Sequence, residues 1–136
     1  MNNKNRLFEL FEKINNLKPD KEAIIKEFIE FAGKELGILN KLPEISITYE
    51  DGVAKKLKSF GGYMPNEHEI RIVGTNRNLA DILRTLGHEL VHHKQNLEGK
   101  ISANSGETGS DEENEANVVA GVLLRNFGKL NDNIYE

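Results

Sequence analysis

Apolar residues in the first third of the chain recur every three or four positions. Leu7, Phe8, Leu10, Phe11, Ile14 and Leu17 predict a helix from about Lys4 to Leu17. Ala23, Ile24, Ile25, Phe28, Ile29, Phe31 and Ala32 predict a second one reaching about Leu36. Pro19 separates the two, Asp20 is placed to cap the second, and Gly37 is placed to end it. The period then changes to two. In "EISITYE", Ile45, Ile47 and Tyr49 alternate with polar neighbours, as in a half-buried strand. "GVAKKLKSFGGYM" is a weaker strand, interrupted by Gly61 and Gly62, and "HEIRIVG" is a firmer one. "PNEH" between them reads as a hairpin turn.

After Gly74 the helical period returns. Asn78 caps a helix over residues 78–97, and a loop rich in glycine and serine, "EGKISANSGETGS", follows. Ser110 with Glu113 three residues later is a capping box opening a last helix over residues 110–127. The final eight residues, from Lys129, are expected to fray. N-terminal helices (1–37), a small three-stranded twisted sheet (44–74) and two late helices make an α+β chain. No repeat or linker divides it, so residues 1–136 read as one domain.

Composition narrows the choices. The chain has 136 residues, enough to bury a core, with 38% hydrophobic and 29% charged residues. A net charge of −4 speaks against a nucleic-acid-binding surface. There is no cysteine, so a metal would have to be held by nitrogen and oxygen. The start lacks the continuous apolar run of a signal peptide, and no stretch approaches membrane-spanning length; a cytoplasmic protein with no membrane partner is expected.

Three of the four histidines fall within "HELVHH". His88 and His92, four apart on a helix, lie within about 40° of each other on its surface. Leu79, Ile82, Leu83, Leu86, Leu90 and Leu97 gather on the other side, so the pair is expected to look outward with Asp81, Thr85 and Gln95. A chance surface cluster is the bland alternative, but an i, i+4 pair of imidazoles can reach one zinc ion about 2 Å away. Glu89, about 100° round from His88, can reach a water and accept its proton once zinc has lowered that water's pKa to about 7.

A catalytic zinc site needs a third protein ligand. The metzincin pattern is excluded, because it requires Gly at position 95 and His or Asp at position 98, where this chain has Gln95 and Glu98. His93 lies on another side of the helix and His68 in the turn. The remaining candidates are Asp111, Glu112, Glu113 and Glu115. The capping box is expected to occupy Glu113, and the helix N-terminus Asp111. Glu112 and Glu115 share a face with Val119 and Val122, and periodicity does not separate them; the apolar stripe is centred slightly closer to Glu112.

"HELVH" followed by "ENEANVVAG" resembles the gluzincin metallopeptidases, whose third zinc ligand is a glutamate on a downstream helix. "NEAN" resembles the start of that helix and maps the ligand to Glu115. It is similar also to the "EAN" of ImmA/IrrE-type peptidases, and the size and short loop are similar to minimal gluzincins and small phage-encoded metallopeptidases. The resemblance covers residues 45 to 127 loosely and two short motifs specifically. It implies a minimal zincin-like domain, zinc held by His88, His92 and Glu115, Glu89 as general base, and a peptide or protein substrate. An alternative is a zinc-binding protein of peptidase-like fold with a structural or regulatory role. Larger gluzincins often carry an Asp four residues after the ligand glutamate; counted from Glu115 that position is Val119, leaving Asn117, Asn114 or a backbone carbonyl to orient a histidine. The resemblance also makes "HEIRIVG" the edge strand bordering the cleft, and Tyr63 a candidate for stabilising the oxyanion.

Overall fold

A computed structural model describes residues 21–49, 61–102, 109–131 and 134. The helix predicted over Lys4 to Leu17, and the Asp20 cap, lie outside them. The first described helix, α1, is Lys21–Leu36. Its Ile24, Phe28 and Ala32 are almost wholly buried, one turn apart on a single face. Gly37 ends it in the left-handed region at φ 72°. Ile38 N–H donates to Gly33 O at 2.9 Å and Gly37 N–H to Lys34 O at 3.1 Å. These are the two bonds of a Schellman motif, so two otherwise orphaned carbonyls are satisfied.

Three strands follow: β1 (Glu44–Thr48), β2 (Gly61–Met64) and β3 (Glu69–Val73). Their order in the sheet is β1-β3-β2, with β3 parallel to β1 and antiparallel to β2. The expected hairpin is formed, with His68 N–H reaching Pro65 O at 3.4 Å across its turn. The expected edge strand is not an edge: "HEIRIVG" supplies the central strand. The physical reason is burial, since Ile70 and Ile72 are 0% and 1% exposed and both flanks are hydrogen-bonded. Among the described residues the edges are β1 and β2.

Helix α2 (Leu79–Leu97) begins where Asn78 Oδ1 accepts from Asp81 N–H at 2.9 Å. It ends in a second Schellman pair, Gly99 N–H to Asn96 O at 3.0 Å and Lys100 N–H to Gln95 O at 2.9 Å. Helix α3 (Asp111–Leu130) begins at the Ser110 cap and runs three residues beyond the expected end. Ile82, Leu83, Leu86 and Leu90 of α2 are completely buried against the sheet, α1 and α3. One hydrophobic cluster joins all of these elements. Phe28 and Phe31 of α1 meet Phe127 of α3, their ring centroids 5.3 and 5.5 Å away. The chain end does not simply fray: Ile134 is 1% exposed and belongs to that cluster. No helix among the described residues is long and apolar enough to cross a membrane.

Candidate metal centre

The buried stripe of α3 is Ala116, Ala120, Leu123 and Phe127. Extended backwards by three residues, its alternating steps of three and four reach Glu113. The two alanines allow α3 to lie close to α2, where Gly87 presents no side chain. A Cβ on Gly87 would meet Phe28 Cζ at 3.3 Å and Ala120 Cα at 3.6 Å. This close crossing carries the start of α3 over the His88 and His92 face. Those two rings are edge to face, with centroids 4.8 Å apart.

Glu113 is the acid brought to the pair. Its Oε1 lies 3.1 Å from His88 Nε2 and its Oε2 lies 3.0 Å from His92 Nε2. Each carboxylate oxygen thus faces a different imidazole nitrogen. Among the described residues, His88, His92 and Glu113 form a group able to hold a metal ion, with ligand atoms all within 4.8 Å of one another. The capping box does not occupy Glu113 as expected. Its backbone N–H donates to Ser110 Oγ at 3.1 Å, while the carboxylate crosses to the imidazoles.

The other acids are placed differently. Glu115, which the gluzincin resemblance made the third ligand, accepts from Gln95 Nε2 at 2.9 Å through its Oε1. Glu112 turns its backbone carbonyl toward α2, accepting from the same Gln95 nitrogen at 3.0 Å. Asp111 is exposed on the first turn of α3. Val118 and Val122 are 66% and 51% exposed, so the face of α3 turned to α2 is the alanine face.

Each histidine has a further partner. The Asn117 side chain acts on the His88 ring, favouring its protonated form. Gln95 Oε1 lies 2.7 Å from His92 Nδ1. An amide oxygen only accepts, so His92 Nδ1 carries hydrogen there, and a neutral ring directs its Nε2 lone pair at Glu113 Oε2. Two lone pairs facing across 3.0 Å call for a positive charge between them, a proton or a metal ion. Burial holds His88 below the ordinary imidazole pKa against the opposing pull of the Glu113 charge, which favours the neutral, ligating form. The expectation that His92 and Gln95 face solvent is corrected: they are 8% and 1% exposed because α3 covers that side.

Glu89 is 8% exposed, and its Oε1 is 3.8 Å from His88 Nε2. Burial, with the nearby Glu113 charge, raises its pKa to about 7. A carboxyl group so tuned can exchange a proton near neutrality.

His93, completely buried, points elsewhere, as expected. Its Nε2–H donates to Lys41 O at 2.6 Å, and its Nδ1 accepts from the Tyr63 hydroxyl at 2.7 Å. Asn96 Nδ2 donates to that hydroxyl at 2.9 Å and to Pro65 O at 3.0 Å. The structure therefore brings the Tyr63 hydroxyl to His93 and Asn96, where it fixes α2 to the β2–β3 hairpin. These partners occupy the hydroxyl that the resemblance offered for stabilising the oxyanion.

No protein-family model, curated protein or solved structure matches this chain.

Proposed function

We propose that this chain is a zinc-dependent peptidase of gluzincin type, with His88, His92 and Glu113 as protein ligands and Glu89 as general base. The reading rests on the convergence of three ligand atoms beside the buried carboxyl group of Glu89. The donor set of two imidazoles and one carboxylate suits zinc and leaves a fourth position for water. The family pattern adds support once the ligand is Glu113. Four residues beyond it, where larger gluzincins often carry Asp, stands Asn117, whose side chain acts to raise the His88 pKa. The second orienting partner is Gln95, on His92.

A zinc ion bound there supplies a Lewis acid that acidifies a water molecule and polarises a carbonyl. Glu89 accepts the proton of the attacking water and passes it to the leaving amine, so its carboxyl group ends the cycle as it began. Glu89 contributes no ligand atom to the group of three, which separates its chemistry from metal holding. The test is Glu89→Gln, which preserves size and removes proton acceptance. The variant should bind zinc as the wild type does and lose cleavage of a peptide substrate by about 10²–10⁴-fold or more. Cleavage at the wild-type rate would contradict the mechanism.

A further inference from the structure

Gln95 sits where α2 and α3 meet, 1% exposed, and all its polar atoms are engaged. Its Nε2 donates to Glu112 O at 3.0 Å and to Glu115 Oε1 at 2.9 Å. A carbonyl and an ionised carboxylate only accept, so both amide hydrogens are directed to α3. Turning the amide over would set its oxygen against two acceptors and its NH₂ against the His92 ring. The polarity is therefore fixed along the whole line. Glu115 and the Glu112 carbonyl hold the amide nitrogen, the amide oxygen faces His92 Nδ1 at 2.7 Å, and Nδ1 must be the protonated nitrogen.

We propose that Gln95 is a positioning residue, anchored by Glu115, that sets His92 as a metal ligand before any metal arrives. The inference rests on the reading of His92 as a ligand and deepens it. The tautomer matters because a neutral imidazole with hydrogen on Nε2 has no lone pair to offer at the centre. The line also ties the second ligand helix to the first turn of the helix that carries Glu113. One amide thus fixes the proton on one ligand and the placement of the element bearing another. It further accounts for Glu115, which the family resemblance marked out: its carboxylate acts through Gln95 rather than at the metal.

The tautomer is directly measurable. In metal-free, uniformly ¹⁵N-labelled protein, at a pH where the ring is neutral, long-range ¹⁵N–¹H correlation should show His92 only as the Nδ1–H form. Gln95→Leu removes the acceptor and should yield a mixture of tautomers. It should also weaken zinc binding, read by competition with a chromogenic chelator, by about 10–100-fold. Gln95→Glu keeps an acceptor toward Nδ1 and should retain the Nδ1–H form. Glu115→Ala, at an exposed residue, tests the anchor without disturbing the core and should loosen zinc in the same direction by a smaller factor. Wild-type His92 found as Nε2–H would overturn the proposal. So would an unchanged tautomer and zinc affinity in Gln95→Leu, or, should that variant not fold, in Glu115→Ala. A wild-type protein that holds His92 as Nδ1–H yet binds no zinc would contradict the peptidase reading and, with it, a metal-positioning role for Gln95, leaving only its control of the tautomer.

Discussion

Gly87 and Ala120 meet backbone to backbone where the histidine helix crosses the glutamate helix. A Cβ on Gly87 would lie 3.6 Å from Ala120 Cα, with Phe28 Cζ only 3.3 Å away on another side. The spacing of the two helices at this point decides whether the Glu113 carboxylate reaches both imidazoles. Gly87→Val should therefore act twice. Overpacking should lower stability by about 1–3 kcal/mol. The displaced α3 should also weaken zinc binding, tenfold for each ~1.4 kcal/mol of misfit carried to the site. Chemical denaturation and chelator competition on the same preparation check both, and loss of stability with unchanged zinc affinity would show that the crossing does not set the site.

Tyr63→Phe separates anchoring from catalysis. Without the hydroxyl, buried His93 Nδ1 loses its donor and Asn96 Nδ2 keeps only Pro65 O. Stability should fall by about 1–3 kcal/mol, the usual cost of a buried group left unsatisfied. Zinc content and cleavage rate should stay near wild type. A rate lowered a hundredfold at unchanged stability would restore Tyr63 to the reaction.

Glu27 makes its largest contribution to the stability of the fold at acid pH. It is 3% exposed, its Oε2 has no hydrogen-bond partner, and burial with the neighbouring Glu30 charge raises its pKa from 4.5 to about 7. Between those pH values the unfolded chain releases this proton while the folded chain keeps it. The contribution favouring the fold is thus complete below pH 4.5 and is lost as pH rises through about 7. The loss amounts to about 3 kcal/mol at most. Denaturation free energies of wild type and Glu27→Gln, measured from pH 4 to 8, should diverge as pH rises, the Gln variant losing less. Parallel curves would show that Glu27 titrates normally.

Much of the architecture was legible because it is local. Periodicity located α1, α2 and α3, the Asn78 and Ser110 caps formed as read, and Gly37 ended its helix. The Pro65 to His68 turn marked the hairpin. Sheet order was not legible: a strand pattern does not say which neighbours it will have, and β3 is central through non-local pairing with β1. His88 and His92 were legible because they sit four apart on one helix. The third acid was not, because two plausible rules misdirected it. The capping box engages Glu113 only through its backbone N–H and leaves the side chain available. Val119 and Val122 form the more apolar face, whereas close helix packing favours the small residues Ala116 and Ala120. The series Glu113, Ala116, Ala120, Leu123, Phe127, spaced three and four, was present in the sequence, and the alanines were its signal. The burial of Gln95 could not be read from α2 alone, because another helix creates it.

Zinc content per chain reports which side chains hold the metal. Wild-type protein, purified with zinc present and freed of excess ion, should carry about one zinc per chain. His88→Ala, His92→Ala and Glu113→Ala should each abolish stoichiometric retention. Glu115→Ala should keep zinc with reduced affinity, and His93→Ala should keep it if folded. The contrary result is equally plain: full zinc in Glu113→Ala together with its loss in Glu115→Ala would contradict the centre described above and return the third ligand to Glu115.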